Sequence, residues 1–224
     1  MSDKNQLPEK KEVTYLRRKI LDWYKDNGRE FPWRETDDPY RLLIAEMMLQ
    51  KTPADRVQEV YMDFFAKYPR IEDVAEAREE DLYDILSPLG LKKRFDNFKQ
   101  ISNEIPQNHE ERVPRNRAGL RQLTGVGEYI AGIVCSVAFK QKEWILDSNV
   151  IRIFGRFFGL TAREEKYDDP RFIEIAKKYA RTSKPRQSNL GLIDFGALVC
   201  QSNEPDFSNC PVKSKCDEYS SRSR

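Results

Sequence analysis

The chain of 224 residues is predicted to be all-α, folded as two helical lobes. Two observations predict this. Apolar residues recur at three- and four-residue spacing in segment after segment, and no sustained apolar–polar alternation marks a strand. Breakers then punctuate the pattern in order. Segment 11–27 closes at Asn27-Gly28. Pro32 and Pro39 frame the loop before 40–51, and Pro53 precedes 54–67. Pro69 separates that helix from 71–76, and 79–87 stops at Pro88. A helix over 92–105 follows, and Pro114 precedes 116–123. Two glycines divide that segment from 128–139. Segments 147–158, 170–181 (entered at Pro170) and 187–200 complete the helical part. Asp217 and the seven residues after it read as a frayed tail. No repeat of 20–50 residues and no low-complexity tract occurs.

Hydrophobic residues make up 39% and charged residues 34%, a globular composition with room for a sizeable core. No apolar run reaches the roughly 20 residues of a membrane helix, and the polar N-terminus lacks a secretory apolar stretch. Four cysteines are too few for a disulfide framework at this length. These features predict a soluble intracellular protein. The net charge of +2 does not by itself announce a nucleic-acid binder, so any such contact must come from local charge. Lys92-Lys93-Arg94 is one basic cluster, and Arg112, Arg115, Arg117 and Arg121 form another. Either cluster alone reads first as a solvated face.

The sharpest local signal is Leu123-Thr124-Gly125-Val126-Gly127-Glu128-Tyr129. A helical stretch runs into Gly-Val-Gly, and a second helix follows at once. Glycines allow positive φ and close backbone approach. The N–H groups at the start of the second helix form an anion site suited to a phosphate. Val126 would plug the small core of the hairpin. Alone, Gly-x-Gly is more often a plain tight turn. Downstream, Leu146-Asp147-Ser148-Asn149-Val150 places Asp147 at the head of an amphipathic helix. As N-cap it would accept from the N–H of Asn149 or Val150.

These blocks resemble the helix-hairpin-helix DNA glycosylase superfamily (HhH-GPD), within it the MutY-type and Mig-type mismatch glycosylases, and most of all the Mig-type thymine-DNA glycosylases. The likeness runs from about Tyr15 to Cys216. It includes Phe31-Pro32-Trp33-Arg34, Asp38-Pro39-Tyr40, Ala45-Glu46-Met47-Met48-Leu49-Gln50-Lys51-Thr52, Val113-Pro114-Arg115-Asn116-Arg117, the glycine hairpin, the Asp147 block and Asn189-Leu190-Gly191-Leu192-Ile193-Asp194-Phe195-Gly196-Ala197.

The resemblance implies base flipping and hydrolysis of an N-glycosidic bond in duplex DNA carrying a mispaired or damaged base. It makes Asp147 the catalytic carboxylate, stabilising an oxocarbenium-like sugar or activating the water that captures it. Tyr129 stands where the strand-cleaving branch has a lysine nucleophile. A phenol cannot form a Schiff base, so the resemblance implies a monofunctional, water-using enzyme with weak or no lyase activity. Glu46, in an otherwise apolar helix, would contact or protonate the extruded base; the alternative is a partly exposed residue on a polar stripe. Gly125, Val126 and Gly127 would grip the DNA backbone. Gln50 or Lys51 would fill the gap left by the flipped base. Arg34 and Tyr40 would line the DNA face or serve only the loop structure. Asn149 and Arg152 are expected to order the aspartate helix. Glu46, Tyr129 and Asp147 are expected to converge on one pocket across a cleft between the lobes.

The family's terminal loop carries cysteines spaced C-x6-C-x2-C-x5-C around a 4Fe–4S cluster. Here Cys200, Cys210 and Cys216 keep three positions, and Phe207 takes the second. Cys135 reads as a small core residue. The expectation is a 4Fe–4S cluster with altered ligation, with zinc or no metal as alternatives. The expected division is 1–52 plus 133–199 as one lobe, 53–132 as the other with the hairpin at about 116–132, and 200–224 as cysteine loop and tail. The expected base is thymine or uracil opposite guanine, with adenine opposite 8-oxoguanine or guanine as runner-up; another modified base, and a DNA-binding module without chemistry, are the further alternatives. Leu123-Thr124-Gly125 departs from the family's usual Leu-Pro-Gly. The ending shortly after Cys216 suggests a compact enzyme without a damage-reading extra domain. Such a protein is expected to be a cytoplasmic, prokaryotic monomer acting on double-stranded DNA, with no membrane partner.

Overall fold

A computed structural model describes residues 7–90, 95–109, 112–163 and 165–223. Among them are twelve α-helices and no strand, so the all-α expectation holds. No described helix is long and apolar enough to cross a membrane. The basic run Lys92-Lys93-Arg94 lies outside the described residues. The chain divides into two compact units, Met1–Arg29 with Lys140–Arg224, and Glu30–Phe139.

The first unit is built from α1 (Lys10–Asn27), α9 (Ser148–Phe158), α10 (Pro170–Ala180), α11 (Pro185–Leu198) and α12 (Asp217–Arg222). Val13, Leu16 and Ile20 on one stripe of α1 face α10 and α11. Helix α9 contributes Val150, Ile153, Phe154 and Phe157, all buried. A Cβ on Gly196 would stand 3.1 Å from the Asn149 Cβ, so glycine lets α11 approach α9 closely there. Asp194, with a fully buried side chain, is met by the Arg29 guanidinium at 2.7 Å and by the Arg29 backbone N–H at 2.9 Å. A buried carboxylate needs such partners, because desolvation penalises it otherwise. Helix α10 starts on Asp169, whose side chain accepts from the Arg171 N–H at 3.0 Å. The Arg171 hydrogen bonds hold the Asp169 carboxyl below the usual carboxylate range. The expected frayed tail is instead α12, which packs on α9.

The second unit carries α2 (Pro39–Met48), α3 (Ala54–Lys67), α4 (Ile71–Glu76), α5 (Glu79–Leu86), α6 (Phe95–Asn108), α7 (Arg117–Leu120) and α8 (Glu128–Val137). Its core is strongly aromatic. Phe31 stacks on Trp33 at 4.7 Å, and Tyr61, Phe64 and Phe65 continue the cluster. The Lys99 ammonium donates to the carbonyls of Val74, Ala75 and Ala77, closing the C-terminal end of α4. Segment 116–123 is shorter than its pattern suggested. Asn116 caps α7 by accepting from Gly119, but after one turn the chain leaves the helix for the hairpin.

The boundaries at 29/30 and 139/140 differ from the expected 52/53 and 132/133. The reason is packing. Helix α2 is buried from Leu42 to Met48 against α3 and α8 of its own unit. Residues 133–137 continue α8, whose hydrogen-bond ladder would be cut by a division at 132. The cysteine loop belongs to the first unit rather than standing apart.

Candidate functional site

The glycine hairpin sits in the second unit between α7 and α8. Gly125 has φ of 79°, a conformation that glycine adopts at least cost. A Cβ there would also meet the Asn97 amide at 3.0 Å. Gly127 differs from expectation: its φ is −89°, so positive φ is used once, not twice. Gly127 is instead the exposed N-cap of α8, and nothing lies within 4 Å of the place a Cβ would occupy. Val126 is buried, as a hairpin plug should be, and its N–H donates to the Leu123 carbonyl at 3.1 Å.

Three side chains hold this turn. The Gln50 amide donates to the Gly125 carbonyl at 3.0 Å. The Glu104 carboxylate accepts from the Thr124 N–H at 2.8 Å and from its hydroxyl at 2.7 Å. Glu128 pairs with Arg117 at 2.8 Å and with Arg121. Those two arginines thus brace the hairpin, and Arg115 lies over the Phe139 ring at 4.9 Å. Glu104 went unnoticed in the sequence. Its signal was Thr124, which has an N–H to satisfy where a proline would have none.

Helix α2 and its C-terminal end bring Glu46, Gln50 and Lys51 to the same unit. Glu46 is 7% exposed among apolar neighbours, so the alternative of a polar stripe fails. Tyr129 is half-buried against the core on α8, which packs against α2. Gln50 is half-buried, whereas Lys51 is exposed with a left-handed backbone, φ 57°. Arg34 is half-buried, its guanidinium 5.3 Å over the Phe31 ring. Tyr40 is a core residue, not a surface one. It is 7% exposed, its hydroxyl donates to the Tyr68 carbonyl at 3.0 Å, and burial pushes its phenol well above the usual range.

In the first unit Asp147 is the half-buried N-cap of α9. One carboxylate oxygen accepts from the Val150 N–H at 2.8 Å, the other from the Asn149 side-chain amide at 2.8 Å. Arg152 donates to the Asn149 amide oxygen at 2.9 Å, to the Gly196 carbonyl at 2.9 Å and to the Cys200 carbonyl at 2.8 Å. Asn149 and Arg152 therefore do order the aspartate, as expected. The chain of bonds runs on to α11 and the cysteine loop, which spacing did not reveal.

Cys200, Cys210 and Cys216 line one cavity of this unit, together with Phe207 and Arg156. Arg156 donates to the Cys200 sulfur at 3.7 Å, and its carbonyl accepts from the Cys216 thiol at 3.4 Å. Burial pushes the Cys210 thiol up to about 11 and raises that of Cys216. Cys135 is fully buried in α8 of the other unit. Among the described residues no three His, Cys, Asp or Glu side chains are grouped to hold a single metal ion. Three thiolates would supply three of the four protein ligands of a 4Fe–4S cluster. The Phe207 ring, with no lone pair to donate to a metal, does not fit the fourth.

A glycine hairpin that presents helix N–H groups can bind an anion such as a backbone phosphate. The chain belongs to the HhH-GPD superfamily of base excision DNA repair proteins, whose pattern matches residues 44–177. It is 33% identical over 201 residues to a thymine/uracil-DNA glycosylase of Methanothermobacter thermautotrophicus, covering 89% of this chain and 91% of that protein. It is 31% identical over 215 residues to the adenine DNA glycosylase of Rattus norvegicus, covering 92% of this chain and 42% of that protein. The fold superposes on the structure of a thermostable thymine-DNA glycosylase with a TM-score of 0.89, at 32% identity, over 94% of this chain and 98% of that one.

Proposed function

We propose that this protein is a monofunctional DNA glycosylase of base excision repair that removes thymine or uracil opposite guanine. It acts as a monomer on duplex DNA at the nucleoid. The observation that carries the chemistry is the Asp147 carboxylate, held by two donors at the head of α9 and half-open to solvent. The likeness to a thymine/uracil enzyme over 89% of this chain supports the choice of base.

In this reading the hairpin N–H groups hold a phosphate beside the lesion. The nucleotide swings out of the stack, and Gln50 or Lys51 occupies the gap. The bond between C1′ and the base nitrogen breaks, and the leaving base takes up a proton supplied by Glu46. Asp147 stabilises the positive charge that develops on the sugar and aligns the water whose oxygen bonds to C1′. The water proton passes to Asp147. The products are free base and an abasic site. Tyr129 cannot trap C1′ as a lysine would, so the strand stays intact.

Labelled duplexes with G·T, G·U, A·8-oxoG and A·G pairs, read with and without alkali, test this. Alkali-dependent breaks at G·T or G·U are expected. Breaks at adenine pairs instead would establish the second reading, which the rat relative supports. Breaks without alkali would refute the monofunctional assignment. Asp147→Asn should lower excision by at least about 100-fold while DNA retention in a gel shift is kept; retained excision would remove Asp147 from the chemistry.

A further inference from the structure

We propose that Arg121 is a phosphate ligand of the glycine hairpin, and that Glu128 is the built-in anion it exchanges for DNA. The inference rests on the phosphate grip proposed above and names its cation. Glu128 is the first residue of α8, directly after Gly127. Its carboxylate therefore stands at the helix end whose N–H groups are to receive a phosphate. An acidic first residue favours a helix by itself, because it complements the positive end of the dipole. That account is satisfied by a carboxylate in water. Here two guanidinium groups hold it instead, Arg117 on one oxygen and Arg121 on the other. Two such cations on one oxyanion are also what a backbone phosphate recruits.

The two arginines are not equivalent. The Arg117 side chain is 17% exposed, and one of its nitrogens donates both to the Glu128 backbone carbonyl at 2.9 Å and to the carboxylate at 2.8 Å. Arg117 is thus tied to the start of α8 whatever the carboxylate does. The Arg121 side chain is 45% exposed, and that of Glu128 is 44% exposed. A pair between groups this open to water holds weakly, so it parts at little cost. Beside it, the open space over Gly127 leaves room for a DNA backbone to approach. As a phosphate arrives, Arg121 turns to it, while Glu128 stays with Arg117. The exchange takes the carboxylate away from a phosphate it would repel. Before DNA arrives, the same carboxylate keeps Arg121 in place and holds affinity down.

Fluorescence anisotropy with a labelled, fully paired duplex across a salt series tests this without any excision step. Arg121→Ala should lower affinity about 10-fold and make the salt slope shallower by about 1. Arg121→Lys, which keeps the charge, should retain the slope. Glu128→Gln should raise affinity about 3-fold or more, since the competing charge is gone. That gain should shrink in the Arg121→Ala background. An equal gain there would reduce Glu128 to a simple repulsive charge and overturn the exchange. An unchanged slope in Arg121→Ala, or weaker binding by Glu128→Gln, would show that the pair only braces the hairpin. Either result leaves the glycosylase reading intact. Unaltered protein that holds no duplex at any salt would overturn that reading and this one with it. If Arg121→Ala fails to fold, the Glu128→Gln affinity decides.

Discussion

The carboxylate of Asp147 does two jobs, and the two oxygens divide them. One caps α9 through the Val150 N–H, while the other receives the Asn149 amide. Asn149 is itself held by Arg152, so its amide cannot rotate without losing a bond. Asn149→Ala should therefore lower the single-turnover excision rate about 10-fold or more with little change in DNA affinity, since misplacement of a reacting group is costly. An unchanged rate would show that the cap alone positions the aspartate. The two hairpin glycines separate in the same way. Gly125→Ala faces a positive φ and Asn97, and should cost about 1–2 kcal/mol of stability in urea melts. Gly127→Ala enters open space and should leave the melt within about 0.5 kcal/mol. DNA affinity should nevertheless fall, because an added methyl stands where the phosphate backbone is proposed to approach. Full affinity would place the phosphate elsewhere.

Between α6 and α8 the hairpin gains its rigidity from a replacement. Where the family pattern has a proline, Thr124 exposes an N–H and a hydroxyl, and Glu104 on α6 accepts from both. A proline would restrict the backbone covalently; here a bidentate hydrogen bond does it across two elements. Glu104→Ala should weaken DNA binding several-fold and destabilise the fold by about 1–3 kcal/mol, as for a lost charged hydrogen bond with a donor left behind. Adding Thr124→Pro to that variant removes the orphaned donor and should restore affinity. Failure of the second change to rescue the first would mean that Glu104 acts on DNA binding by another route. The aspartate helix shows the same economy of means: α9 packs by its Ile and Phe stripe, and its polar head does the positioning.

At the scale of the molecule, 39 basic and 37 acidic residues nearly cancel. Part of the basic cluster before the hairpin is internal bracing, with Arg117 and Arg121 both on Glu128. Binding to DNA must then rest on few cationic contacts and on helix N–H groups. The logarithm of affinity should fall with the logarithm of salt at a slope smaller in magnitude than about 5, since each neutralised phosphate contributes about 0.9. A slope near 10 would reveal a broad basic face that the charge balance hides.

The sequence by itself determined eleven of the twelve α-helices among the described residues, and their order, because the apolar period and the prolines and glycines act locally. Only the length of α7, the helical turn at Asp217–Arg222 and a few helix ends moved. It also determined which residues carry the chemistry-bearing motifs, since Gly-Val-Gly and the Asp147 block are short and contiguous. Tertiary structure decided what depends on distant partners. It set the unit boundaries, because α2 and α8 bury against each other rather than at a break in the chain. It showed Tyr40 to be core, Gln50 to be bonded to the hairpin, and Glu104 and Arg152 to be supports. Glu104 lies 20 residues from Thr124, and Arg152 lies 48 from Cys200. Such pairings are chosen by folding in space, where burial leaves every donor in need of an acceptor.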